Sequence, residues 1–477
     1  MKKSIKNKKW VRYLKRNYLI YLILIVYIVL ITIMIFKHEP WADEAQAWLL
    51  ARDSGLYDLL FKTLRYDGHP GLWHLILMIP SKLGLPYIFL NITSGIIATL
   101  GVYIFLRYSP FPKIIKVLLP FSYFIFYQYA VIARNYVLLP ILLFLIAKIY
   151  KNKTKKIYLF IFLIILLANT HALGFVIAIV LLFIHLIDLF KEWPYLNKNL
   201  KQRQIKSYLV SLFFIIIEIL QMLPPSDSNF AVGYNFHLLN FFDKSYLIID
   251  ETITLFLFLI SFLWFFRQRV LSLFLLLSSS IFFFSAIKYY NVWHQGSLFL
   301  IFLFVLWISF ENQHKERKIN PKFHNILEKL MILFFVILLL FQISWSITAS
   351  INDFNGPYSP GKAIAEYIKE NNFENKKIYA TSFWSTSIQP YFAKNIFDNY
   401  NNKKNPAFWL WSYNINMIQD TSIIIKHKPD LIISREPINL KRLKGYQFIG
   451  LFEGNMYWKR AIKERNNFYL YQKEGIE

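Results

Sequence analysis

Apolar residues run in long stretches along this chain, broken by short blocks rich in Lys and Arg. The first stretch goes from Tyr18 to Phe36. Others cover residues 85–107, 116–130, 133–150, 157–171, 173–190, 208–223, 246–266, 270–287, 297–310 and 330–350. An α-helix needs roughly 20 apolar residues to cross a bilayer core about 30 Å thick. The pattern therefore predicts a polytopic α-helical membrane protein with about eleven spans. The segment from His69 to Gly84 is apolar but short, and Pro80 interrupts it. We expect an interfacial or re-entrant helix there, since a full span would reverse every later segment.

Charge supports the same layout. The chain has 477 residues, 56% of them apolar and only 17% charged, with a formal net charge of +26. On the side expected to be cytoplasmic, the N-terminus and five loops hold 28 Lys and Arg, against eight on the other side before residue 351. This is the positive-inside asymmetry, and it places the N-terminus in the cytoplasm of a multi-pass cell-membrane protein. No basic stripe with interleaved aromatics lies on a soluble element, so a nucleic-acid partner is not expected. The first stretch is long for a signal-peptide core and has no small-residue cleavage site, so it reads as a retained anchor. There is no Cys, which removes disulfides, thiolate nucleophiles and Cys-ligated metals.

Residues 1–350 form the expected membrane domain, with a first outer loop at 37–84. Residues 351–477 hold no spanning run and mix charged with aromatic residues. A helix is expected at 360–370, and strands at KKIYATSF, PDLIISR, YQFIGLF and NFYLYQ. That is a small α/β domain, extracytoplasmic by span parity. NIFDNYNNKKNP reads as a surface loop.

With this topology, ionisable groups gather at the outer face. Asp43 and Glu44 follow the first span in WADEAQAWLLARDS; Asp67 and His69 stand in DGHPGLW; Arg134 in ARNYV; His171 in NTHALG; His294 in YYNVWHQG. Glu218, Asp250 and Glu251 lie near span ends. Charge at membrane depth is costly and usually faces a cavity or partner. Simpler roles compete. Asp43 can N-cap a helix with Gln46 reaching back, and Trp41, Ala45, Trp48, Leu49 and Leu56 can lay that helix on the membrane. Glu44 would then point about 100° away from Asp43, on a face with Trp48 and Arg52. Each His can simply be hydrogen-bonded, and the spacing gives no HxxxH or HxH metal pattern. Arg134 wants an anion, either a carboxylate or a ligand phosphate, or it snorkels to headgroups. No Walker loop, nucleophile elbow or GxGxxG fingerprint occurs.

The Asp43–Glu44 pair after the first span, His69–Pro70–Gly71–Leu72–Trp73 closing the loop, and the ARNYVL and NTHALG segments resemble the GT-C glycosyltransferases. The likeness is to glycosyltransferase family 39, the group of protein mannosyltransferases and lipid A aminoarabinose transferases. Gly71 stands where many relatives have a second Pro. The resemblance implies a polyprenyl-phosphate sugar donor, transfer at the outer face, and Asp43 as catalytic base. It implies a glycan, lipid or protein acceptor bearing a hydroxyl or amine, and it leaves open a divalent cation whose ligands cannot be matched. Arg134 and His294 are the candidates for the donor phosphate. Glu44, Asp67, His69 and His171 are the supporting or metal candidates. One base and no second nucleophile predicts inversion. The alternatives are a polysaccharide or lipid-carrier transporter, which would favour inverted repeats and broken midplane helices, and a non-catalytic glycolipid-binding protein.

Overall fold

A computed structural model describes residues 2–230, 252–287, 291–316, 321–401, 404–414, 420–439, 441, 443–461 and 463–475, with side chains from Asn17 onward except at a few segment edges. Asp250 and Glu251 lie outside the described residues, as does the start of the run expected at 246–266. Among the described residues, eight helices are long and apolar enough to cross a membrane. They are Asn17–Lys37, Phe89–Tyr108, Lys113–Val131, Asn135–Asn152, Ala172–Tyr195, Lys198–Met222, Gln295–Asn312 and Pro321–Asn355. Three shorter apolar helices, Ile157–Ala168, Phe256–Arg267 and Leu271–Ile287, fall on the other expected runs. The last long helix continues to Asn355, past the expected boundary at 350.

The first helix shows how these segments divide their faces. Tyr27, Ile31, Met34 and Ile35 are buried against protein, while Ile25, Val29, Ile33 and Phe36 point outward. The inward set follows the spacing of one helical face. The outward set is equally apolar, which suits a lipid surround rather than water.

After that helix the chain turns at His38 to Pro40 and re-enters a helix at Ala42–Asp53. The cap differs from the expected one. Trp41 is the N-cap residue, Asp43 stands inside the first turn, and Glu44 reaches back to accept from the Trp41 N–H at 3.1 Å. Starting the helix at Ala42 puts Glu44, not Gln46, at the reciprocal capping position. The helix does not lie on a membrane surface either. Ala45, Trp48 and Leu49 are buried, because the helix packs between the Leu72–Lys82 helix and the C-terminal segment Phe383–Tyr391. Arg52 bonds Asp53 at 2.6 Å and the Phe392 carbonyl at 2.8 Å, far from Glu44. The Leu72–Lys82 helix has 11 residues, about 16 Å of rise, which is half a bilayer core.

In the C-terminal region, β1 (Ile378–Ala380), β2 (Leu431–Ser434), β6 (Phe468–Lys473) and β3 (Tyr446–Phe452) form one sheet in that order. β1 runs parallel to β2, with Ile378 opposite Leu431; the other pairs are antiparallel. One face carries Ile378, Leu431, Ile433, Phe468 and Leu470 against the helix Gly361–Glu370 and the Phe383–Tyr391 segment. The other carries Tyr379, Ile432 and Tyr471 against Ile424 of the short Thr421–Lys426 helix. All four expected strands are present. β4 (Asn455–Tyr457) and β5 (Lys463–Arg465) form a separate hairpin that packs on the last long helix. The loop expected at the surface from NIFDNYNNKKNP is instead partly core. Asn395, Ile396, Phe397, Asn399 and Tyr400 are buried, with Asn395 and Asn399 satisfying backbone groups that would otherwise be orphaned.

Candidate functional site

Four stretches that are distant in sequence meet beside the helix Ala42–Asp53. Gly68 takes a left-handed turn at φ 67°, and an added Cβ would sit 3.3 Å from the Phe230 ring. That turn sends His69 inward. Asn169 then fastens the loop, its side chain accepting from the Gly71 N–H at 3.1 Å and its carbonyl from the Leu72 N–H at 3.1 Å. The HPGLW and NTHALG segments are therefore one structure, and His69 packs tilted against His171 with ring centres 4.7 Å apart. His171 caps the following helix by accepting from the Leu173 N–H. Its other nitrogen meets the Tyr136 hydroxyl at 3.1 Å. His294 lies against both, its ring 5.9 Å from that of His171.

Arg134 sits in an extended link between helices, with β-region backbone. Its guanidinium pairs with Asp43 at 2.6 Å and lies over the rings of Trp41 and Tyr136. A cavity of ≈ 290 Å³ opens in front of this pair. Asp43, Gln46, Asp67, His69, Arg134 and His294 supply its polar wall, and Tyr136, Phe230, Trp293, Phe383 and Trp411 its aromatic one. Five of the seven expected site residues thus line one space. His171 stands one layer behind His69.

Glu44 does not face this cavity. It is fully buried on another face of the helix, about 100° round from Asp43. It accepts from the Ala133 N–H at 2.5 Å and from His38 Nε2 at 3.1 Å. His38 Nδ1 meets Asp353 at 2.8 Å, and Tyr127 donates to the same carboxylate oxygen at 3.1 Å. Burial pushes His38 down, but Asp353 and Glu44 together overcome it and raise its pKa to about 10. His38 is therefore a cation at neutral pH, donating from both nitrogens. This network fixes the first loop to the ARNYV link and to the end of the last long helix.

Electrostatics separates the cavity groups. Burial raises the Asp43 carboxyl, while Arg134 pulls it down and Glu44 adds to the rise. Asp67 is pushed up to about 7, first by burial and then by the Asp43 charge. Burial lowers His69 and His294 to about 3, helped by Arg134. Burial also sets His171 well below the ordinary imidazole value. These rings are neutral at pH 7, so they bring hydrogen-bonding nitrogens rather than charge to an anion.

No protein-family model and no characterised protein matches this chain. Among the described residues, no three His, Asp or Glu side chains converge as a metal ion would need. Asp43 is already paired with Arg134, and the His69 and His171 rings lie tilted against each other at 36°. Among the described residues, the donor set does not fit a cation.

Sequence reading gave several contributors no role in the site. Gln46 bonds both the N–H and the carbonyl of Trp409, at 2.9 and 2.7 Å, which locks the C-terminal domain to the first loop. Phe230, Trp293, Phe383 and Trp411 carried no motif, and His38 and Asp353 lie 315 positions apart. Glu218 bonds Asn169 at 3.0 Å and braces the loop without reaching the cavity.

Asp67 gives a pH signature. Its proton leaves near the ordinary carboxylate value of 3.8 in the unfolded chain and at about 7 in the folded one. The folded state binds more protons across that window, so this group makes stability fall as pH rises from about 4 to 7, with no further loss above. Thermal unfolding in lipid should show the difference between wild type and Asp67→Asn growing from pH 5 to pH 7 in favour of the variant. A difference constant with pH would remove the assignment.

Proposed function

We propose that this protein is a polyprenyl-phosphate-sugar-dependent glycosyltransferase of GT-C type, working at the outer face of a cell membrane. In this reading the chain has eleven spans, a cytoplasmic N-terminus and an extracytoplasmic C-terminal domain. The observation that carries the reading is the Asp43–Arg134 pair at 2.6 Å on the wall of one cavity. A carboxylate able to take a proton and a guanidinium able to hold a phosphate are the two groups that this transfer needs.

The steps follow from those two groups. The acceptor hydroxyl or amine attacks the anomeric carbon and gives its proton to Asp43. The bond from that carbon to the phosphate oxygen breaks with inversion, and polyprenyl phosphate leaves with the electron pair. Arg134 receives the departing charge. Donor phosphate competes with Asp43 for the guanidinium. Drawing Arg134 away removes the cation that holds the Asp43 carboxyl down, which strengthens the base as the donor arrives. His69 and His294, being neutral, orient rather than neutralise.

A place for the lipid lies next door. An apolar crevice of ≈ 210 Å³ runs between the helices Thr252–Arg267, Leu271–Ile287, Gln295–Glu316 and Pro321–Asn355. Phe258, Phe274, Phe299, Leu338 and Gln295 line it. Gln295 follows Trp293 and His294 of the polar cavity in the chain, so consecutive residues border the two spaces. A transporter or silent glycolipid binder needs no base paired in this way.

The test is consumption of a panel of polyprenyl-phosphate sugars by the purified protein in lipid, with Arg134→Ala in parallel. We expect turnover by wild type, and for Arg134→Ala a loss of donor affinity or rate of about 10²-fold, as for removal of a charge-stabilising donor. Unchanged kinetics in Arg134→Ala would end its assignment to the phosphate.

A further inference from the structure

We propose that the C-terminal domain completes a pyranose-binding subsite in this cavity, with Phe383 and Trp411 as its stacking wall. The proposal rests on the sugar-handling reading of the cavity above and adds how a sugar ring is held.

The aromatic side of the cavity is built, not incidental. Phe383 and Trp411 come from the C-terminal domain, and their rings lie 5.1 Å apart. Phe230 stands 5.6 Å from Trp411 on the other flank. Trp409 is buried behind them, whereas Phe383, Trp411 and Phe230 are each only partly covered where they border the cavity.

Hydrogen bonds hold this wall in place. Asn229 donates to the Trp411 carbonyl at 3.1 Å, and Tyr413 to the Asp227 carbonyl at 2.8 Å. Tyr66 of the first loop donates to the Asp227 carboxylate at 2.9 Å, as does Ser412. Asp67, Gln46 and Asn291 line the same cavity.

A pyranose has an apolar C–H face and a rim of hydroxyls. The C–H face gains most from an aromatic surface, and the hydroxyls need carboxylate and amide partners once water is excluded. A cavity lined by both these rings and these polar groups suits that shape. A purely apolar ligand would cover the polar groups of Asp67, Gln46 and Arg134 without offering them a hydrogen bond. A bare phosphate would gain nothing from the rings. The sugar is either that of the donor or that of the acceptor; both present the same faces.

The experiment is saturation-transfer NMR on the full-length protein in nanodiscs. The probes are methyl pyranosides of glucose, mannose and galactose and their 2-acetamido forms. At least one should receive saturation, strongest at its ring C–H protons. Trp411→Ala should weaken binding about 5- to 10-fold, the scale of one stacking contact, and Trp411→Phe should restore part of it. Phe383→Leu, which keeps apolar volume but loses the ring, provides the second variant if Trp411→Ala does not fold. Displacement of the pyranoside by a polyprenyl-phosphate sugar, but not by polyprenyl phosphate, assigns the subsite to the donor sugar. No displacement assigns it to the acceptor. The proposal is overturned if no pyranoside binds, or if binding ignores both Trp411→Phe and Phe383→Leu as well as Trp411→Ala. Pyranoside binding without donor turnover would keep the subsite and remove the transferase; turnover indifferent to Trp411 would do the reverse.

Discussion

Asp43→Asn should lower sugar transfer by about 10²- to 10⁴-fold, the range for loss of a positioned general base. The amide keeps the shape of the carboxylate and can still accept from Arg134, but it cannot take a proton. The change sits on the wall of an open cavity rather than in packing, so the unfolding temperature should stay near that of wild type. Donor affinity should hold or rise, because Arg134 no longer has a carboxylate competing with the phosphate. Single-turnover rates and donor affinity, measured together in lipid, separate these effects. Full activity in Asp43→Asn would move the base to Asp67, the other cavity carboxylate.

Glu44→Ala should act in the opposite manner and unfold the protein more easily. It removes the acceptor for the Trp41 and Ala133 N–H groups and one counter-charge of His38. Breaking a buried pair by deleting one partner leaves an uncompensated charge and typically costs about 3–5 kcal/mol. Here Asp353 still faces His38, so the lower end of that range applies. The pH dependence carries the sign of the network. His38 titrates near the ordinary imidazole value of 6.5 unfolded and about 10 folded, so its stabilisation is complete below pH 6.5 and lost as pH rises toward 10. Thermal unfolding of wild type should therefore weaken from pH 7 to 10 through this group, and His38→Ala should lose that component. An unfolding temperature unchanged by Glu44→Ala would show that the network does not hold the loop.

These two neighbours also show where a sequence stops being readable. The pair stood out because adjacent acids beside a membrane are costly. A helix turns about 100° per residue, so the residues had to face different surroundings. Which surroundings depended on the partners. Asp43 received Arg134 and open space; Glu44 received His38 and burial. The cap was misplaced for a related reason, since a shift of two residues in the helix start exchanges Gln46 for Glu44 at the third position. Gln46 was then free to bond a backbone 363 positions away.

The apolar runs and the basic blocks between them were determined by the sequence alone, because apolarity is a matter of local composition; among the described residues, eight of the runs give helices long and apolar enough to cross a bilayer. The four main strands were legible for the same local reason, a short apolar run bounded by turn residues. The candidate site was legible only as a set of unusual polar residues. Their gathering, the neutral state of three His rings, the separation of two adjacent carboxylates and the aromatic wall from the C-terminal domain were decided by the tertiary structure. Burial and pairing energies depend on distances between segments, and no local pattern encodes a distance between residues hundreds of positions apart.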